Sequence, residues 1–166
     1  MPSTYEPIST QTLSSAVTGI TFSNIPGTYT DLVLVINASA STAANAWLST
    51  NLTDVSSLSG TRLYADGSSA GSGRTSSGND FVIFTAFDQV TTTAGNFNAV
   101  LNFMNYSNTT TNKTILARSN NASAGVCAAV CMERKTGAIT SISIDLVGTT
   151  TYSIGSTFTL YGIKAA

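Results

Sequence analysis

The chain has 166 residues, of which 42% are apolar and only 9% are charged, and its formal net charge is −1. This balance excludes intrinsic disorder, which needs low hydrophobicity or a high net charge. The seven Lys and Arg residues are scattered along the chain, so the sequence offers no basic stripe for a nucleic acid and no basic amphipathic helix for an anionic membrane.

The length predicts a single domain over residues 1–166. No apolar run approaches the roughly 18 residues of a transmembrane helix. The first ten residues, MPSTYEPIST, lack the basic and apolar regions of a signal peptide. We therefore expect synthesis in the cytoplasm. Residues 1–8 contain two prolines and are too few to fold alone, so they are expected to form an N-terminal arm.

The first half of the chain is typical of short strands separated by turns. The strands predicted there, in chain order, cover residues 5–13, 19–25, 30–38, 46–52 and 62–65. The stretch 30–38 is apolar on both of its faces, which indicates a strand buried in the middle of a sheet. Asp66 and Gly67 form a turn signal, and the Gly/Ser-rich residues 67–79 predict a flexible loop.

The second half continues the same pattern. Predicted strands cover residues 81–87, 97–104, 114–118, 139–147 and 158–163. The first of these, FVIFTAF, is apolar on both faces and predicts a second central strand. Residues 105–112 predict a polar loop, and Asn120 with Asn121 predicts a turn.

The segment Ala124–Lys135 is ambiguous between helix and strand. Its alanines favour a helix, whereas its alternation places Val126, Ala128, Val130 and Met132 on one face of a strand. We expect a strand, because every neighbouring element is one. Cys127 and Cys131 would then lie about 13 Å apart, beyond the roughly 7 Å that a disulfide allows, and both are expected to be buried free thiols.

Taken together, about ten short strands at regular spacing predict an all-β fold, an antiparallel β-sandwich. The low-charge surface, rich in Ser and Thr, loses little side-chain entropy when it is covered. Sheet edges are normally protected by Lys, inward charges or Pro, and only two Lys occur in the first 150 residues. We therefore expect edges or faces to be covered in an oligomer or larger assembly.

The sequence does not predict catalysis. The chain has no His, which excludes Ser-His-Asp and Cys-His nucleophilic mechanisms. Its eight carboxylates are spread over strand ends and turns, where Asp is a common turn former. Two Cys without His are too few for a structural zinc site, and no carboxylate cluster predicts calcium. We expect no catalytic residues, no cofactor and no metal.

Several stretches together resemble a known family. They are YEPISTQTL at 5–13, ITFSNIPGTYTDLVLVI at 20–36, RLYADG at 62–67, NYSNTTTNKTILAR at 105–118 and STFTLYGIKAA at 156–166. They resemble a group of small β-rich virion structural proteins of tailed bacteriophages. The resemblance implies a jelly-roll-like sandwich that coats or decorates the particle. The chain departs from that pattern at 125–132, where such proteins tend to carry an aromatic-rich strand and this chain has Ala and Cys.

The leading hypothesis is therefore a non-enzymatic capsid decoration, or cement, protein on the outer surface of the virion. Its expected partners are the major capsid protein and further copies of itself, as a homotrimer at local threefold positions. Tyr5, Pro7 and Ile8 of the N-terminal arm are the candidate assembly contacts. The alternative is a tail or head-fibre module that binds host surface glycans through an exposed aromatic patch, with Tyr106 as its test residue. An enzyme acting on surface polysaccharide is a third hypothesis.

Overall fold

The computed structural model describes residues 4–42, 44–54, 56–78, 81–82, 97–121 and 125–164. Within these ranges the chain forms strands and turns and no helix, so no helix that could cross a membrane is found there. The strands, in chain order, are β1 (Tyr5–Thr12), β2 (Gly19–Phe22), β3 (Asp31–Ala38), β4 (Ala46–Thr50), β5 (Leu58–Ala65), β6 (Ala70–Gly78), β7 (Phe81–Val82), β8 (Phe97–Met104), β9 (Lys113–Asn121), β10 (Gly125–Glu133), β11 (Ile142–Leu146) and β12 (Thr157–Ile163).

These strands form two antiparallel sheets. The larger has the order β1-β12-β3-β8-β9-β10-β5-β6, and the smaller has the order β2-β11-β4-β7. Four strands of the larger sheet, in the order β1-β12-β3-β8, and the four strands of the smaller sheet, β2-β11-β4-β7, have the arrangement of a jelly roll built from two Greek keys. The chain passes back and forth between the two sheets as it forms these eight strands. The hairpins β5–β6 and β9–β10 are additions to that plan, and both widen the larger sheet. The predicted all-β, jelly-roll-like sandwich is thus confirmed.

The core lies between the two sheets. Leu32, Leu34 and Ile36 of β3 are fully buried and belong to one cluster with residues of the small sheet, such as Leu48 and Ile144. The prediction of a buried central strand at 30–38 is confirmed, because β3 is paired on both sides, with β12 and with β8. Val33, on the opposite face of β3, is also buried.

The ambiguous segment forms a strand, as expected. β10 covers Gly125–Glu133 and pairs with both β9 and β5. Cys127 and Cys131 are buried free thiols on its inner face, and burial raises the pKa of Cys131 to about 12, with the nearby Glu133 carboxylate adding to the shift.

The predicted flexible loop at 67–79 is wrong. Among residues 67–78, the part of this stretch that the structure describes, only the turn after Asp66 is irregular, with Gly67 at φ +89°, and Ala70–Gly78 form β6 along the edge of the large sheet. The glycines of β6 leave room for longer side chains from β5, since a Cβ on Gly71 would lie 2.7 Å from the ring of Tyr64. Cover from a neighbouring strand thus stabilises a sequence whose own composition favours a loop.

Two smaller predictions also change. Asn120 and Asn121 are not a turn but the last two residues of β9, where they pair with β10. In the stretch 81–87, Phe81–Val82 form β7, which lies beside β4 at the end of the small-sheet order. Residues 83–87 lie outside the described residues, so a central strand over the whole stretch stays a prediction.

Candidate protein-docking surface

The side of the large sheet that faces away from the small sheet carries exposed apolar side chains. We call this the outer apolar face, and its large members range from 37% to 63% exposed: Leu63, Met104, Leu116, Val126, Val130 and Met132. They come from four neighbouring strands, β5, β10, β9 and β8. Isolated exposed apolar residues are ordinary, but a contiguous patch marks an interaction surface.

Strand register makes this patch contiguous. Val130 of β10 is paired with Leu116 of β9 on one side and with Thr61 of β5 on the other. Ala128, one position further along the same face, is paired with Leu63 and with Arg118. Directly opposed residues in antiparallel strands have Cβ atoms about 5 Å apart, so the six side chains form one surface and not separate points.

Two shallow grooves run across the outer apolar face. One has a volume of about 810 Å³ and the other about 670 Å³. Leu63, Arg118 and Ala128 line both grooves, so the row that contains these residues lies between them. The linings are mainly apolar, and Arg118 is the cation that both grooves share. The surface therefore has the shape and chemistry of a protein-docking site.

The energy available from covering this face is considerable. Fully burying a Leu, Val or Met side chain is worth about 1.5–3 kcal/mol. Six side chains that are roughly half exposed could therefore contribute on the order of 6 kcal/mol before the costs of association. A surface of this kind is suited to a stable partner.

Arg118 is exposed and lies within this apolar surface. It belongs to neither of the two ion pairs found among the described residues, Lys135–Asp54 at 2.6 Å and Lys164–Glu6 at 2.9 Å. Both of those pairs are partly exposed, where an ion pair is worth little. Arg118 is thus a charge that a docking partner must either pair or leave in contact with water.

The predicted assembly residues lie elsewhere on the same sheet. Tyr5, Pro7 and Ile8 belong to β1, the edge strand paired with β12, and residues 1–3 lie outside the described residues. Tyr5 is 54% exposed and packs edge-on against Tyr161, with ring centroids 6.5 Å apart. Pro7 is exposed at a register shift, a feature that protects an edge from further pairing. Ile8 packs against the core. β12 and β3 separate these residues from the outer apolar face.

The aromatic patch expected for glycan binding is wrong at its test residue. Tyr106 is fully buried, its hydroxyl donates to the Pro26 carbonyl oxygen, and it accepts from the Tyr29 amide at 3.4 Å. Burial raises the pKa of Tyr106. Tyr152 is also fully buried, with its ring centroid 5.0 Å from that of Phe158.

One pair of charged residues that the sequence did not single out is buried inside the sandwich. Lys113 and Glu133 face each other across β9 and β10, and both are fully buried. The Lys113 ammonium donates to the carbonyl oxygens of Thr111 at 2.6 Å and Thr136 at 3.1 Å. Burial lowers the pKa of Lys113, and the Glu133 carboxylate opposes that shift. Strict alternation along β9 predicts the inward direction of Lys113, but nothing in the sequence indicates its carbonyl partners.

The described residues contain no group of three or more metal-ligating side chains. No family model, no curated protein and no solved structure matches the chain.

Proposed function

We propose that this protein is a structural component of a bacteriophage virion, a capsid decoration protein that binds and stabilises the outer shell. The observation that carries the proposal is the outer apolar face, which the described residues leave exposed and which is suited to a protein partner. The bacteriophage context comes from the sequence resemblance. The proposed partners are the major capsid protein and further copies of the chain itself.

The β1 edge is the proposed contact with the capsid shell. Tyr5 and Pro7 are exposed there. Tyr5 presents an aromatic ring and Pro7 a rigid ring, and both lose little side-chain entropy on binding. Since β1 pairs along its length with β12, this contact is anchored to the sandwich. Deleting residues 1–8 would also remove Ile8 from the core, so point variants test the contact more cleanly.

The first test is the copy number in purified virions, measured by quantitative mass spectrometry against the major coat protein. A ratio near one chain per coat subunit supports a decoration protein. A few copies per particle contradict the decoration role and favour a tail or fibre position, and absence from the particle contradicts a virion role altogether.

The second test is attachment to particles that lack the protein. Tyr5→Ser combined with Pro7→Ser is expected to reduce attachment at least tenfold, because both side chains are lost from the contact. Thr12→Ala, also exposed on β1, is the matched control and is expected to attach normally. Normal attachment of the double variant would contradict the role of the β1 edge.

A further inference from the structure

The outer apolar face alternates large and small side chains across its strands. In the central row, Leu63, Ala128, Arg118 and Val100 lie side by side in β5, β10, β9 and β8. Leu63 and Arg118 are exposed, Ala128 is small, and Val100 is half-buried. The row therefore reads as a projection, a recess, a projection and a recess.

The next row, Thr61, Val130, Leu116 and Asn102, does not alternate, but the row beyond it repeats the alternation with its order reversed. Ser59, Met132, Thr114 and Met104 lie side by side in the same four strands. Here the methionines project from β10 and β8, and the smaller residues lie on β5 and β9. In both alternating rows, each large residue therefore has a small counterpart in another strand of the same row. The counterpart of a residue on β9 lies on β10, the counterpart of a residue on β8 lies on β5, and the reverse also holds.

This exchange is the operation of a two-fold axis. An axis parallel to the strands, lying between β9 and β10 in the plane of contact, places each residue over the in-register counterpart in a second copy. Arg118 then lies over Ala128 of the second copy, and Leu63 lies over its Val100. The methionines likewise lie over Thr114 and Ser59. In these two rows each projection meets a recess, and in the row between them Val130 lies over Leu116 of the second copy, an apolar contact close to the axis.

The available area agrees with a pair of this kind. The six strands β3, β8, β9, β10, β5 and β6 each have eight or nine residues. With strands about 4.8 Å apart and a rise of about 3.4 Å per residue, they cover roughly 29 Å by 27 Å, on the order of 800 Å². A standard stable interface buries about 800 Å² per partner.

Arg118 weakens this arrangement. Pairing brings the two Arg118 guanidinium groups towards the same covered plane, where salt screens their repulsion much less than at an exposed surface. Asn102 and Asn120, diagonal and adjacent to Arg118 on the same face, offer carbonyl oxygens to its guanidinium group.

We propose that the outer apolar face is a self-association surface, through which two copies of this chain pack sheet against sheet about a two-fold axis. This inference goes beyond the proposed function and does not rest on it, since it follows from the alternation of large and small side chains on the face and from the area of the face. The decoration hypothesis expects a homotrimer, but a face that complements itself about a two-fold axis is suited to a pair.

The test is the molar mass of the purified full-length chain, measured by light scattering after gel filtration from micromolar to millimolar concentration. The expected mass is twice that of the 17.1 kDa chain. Ala128→Arg, which fills the recess that receives Arg118, is expected to shift the protein to a single chain. Leu63→Lys is a second variant with the same expectation. Circular dichroism checks that each variant is folded.

Ile154→Arg is the matched control, because Ile154 is exposed and lies outside the outer apolar face. It is expected to keep the doubled mass. Arg118→Leu keeps the projection and removes the charge, so it is expected to pair at least as tightly as the wild type. A wild-type mass of one chain throughout, or of three chains, would overturn the proposal. A doubled mass that Ala128→Arg and Leu63→Lys both leave unchanged would also overturn it.

Discussion

The β9–β10 hairpin has two apolar faces, and the described part of the chain covers only one of them. On the inner face, Ile115, Ala117, Cys127, Ala129 and Cys131 are all buried against the rest of the sandwich. On the outer face, the residues between them in sequence, such as Leu116, Val126 and Val130, are exposed. The same two strands thus present similar side chains to two different environments.

This difference shows what the sequence encodes. A strand that is apolar on both faces is typical of a sheet packed between two layers. The small sheet and its connections supply the layer on the inner side. None of the residues that the structure describes supplies an outer layer, which is why we propose a second molecule there.

The largest expected effect comes from comparing two adjacent residues of β9, one on each face of the sheet. Ile115→Ala is expected to lower the free energy of unfolding by about 2–5 kcal/mol, because it removes buried methyl groups and leaves a cavity. Leu116→Ala, measured at a concentration where the protein is a single chain, is expected to cost less than about 1 kcal/mol. Urea denaturation measures both. Equal losses would contradict the assignment of the two faces.

A second comparison uses the cations of β9. Lys113→Met removes an ammonium group that donates to two carbonyl oxygens and leaves those acceptors and the facing Glu133 carboxylate buried without it, so stability should fall by at least about 1–3 kcal/mol. Arg118→Met, on the outer face, should change the stability of the single chain by less than about 0.5 kcal/mol. If Lys113→Met left the free energy of unfolding unchanged, the buried ammonium group would have no stabilising role.

A smaller effect concerns the turn that carries β6. The amides of Ser69 and Ser68 donate to Asp66 at 2.7 and 2.9 Å, and these hydrogen bonds hold the pKa of Asp66 well below its ordinary value. A carboxyl group with a lowered pKa in the folded state stabilises that state above its unfolded pKa of about 3.9, and this contribution is lost as the pH falls.

Asp66→Ala should therefore lower the melting temperature at pH 7, and the difference from the wild type should shrink as the pH falls from about 4 to about 2. Thermal melts of both proteins at pH 7, about pH 4 and about pH 2 measure this difference. A difference that stays constant or grows on acidification would contradict the role of the Asp66 carboxylate.

Much of this fold could be predicted from periodicity. The alternation at 139–147 predicts that Ile142, Ile144 and Leu146 point inward, and all three are buried. The stretch 67–79 could not be predicted in the same way, because its strand depends on cover from Tyr64 of a neighbouring strand. Local composition contains no information about that neighbour.

Only part of the candidate site could be predicted from the sequence. Alternation correctly placed Val126, Ala128, Val130 and Met132 on one face of β10. It could not show which of the two apolar faces is covered, because burial depends on where the small sheet packs. Tyr106 illustrates the reverse case. It lies in a polar stretch that predicts a surface loop, yet its ring is buried and its hydroxyl reaches the Pro26 carbonyl oxygen.

The most direct test of the self-association surface is the reactivity of a thiol placed on it. Ala128→Cys adds an exposed thiol next to Cys127, which is buried and serves as an unreactive internal reference in the folded chain. Alkylation of the new thiol is expected to slow several-fold as the protein concentration rises through the pairing range. An Ile154→Cys control should react at a constant rate. An Ala128→Cys rate that is independent of concentration while the mass doubles would contradict pairing through this face.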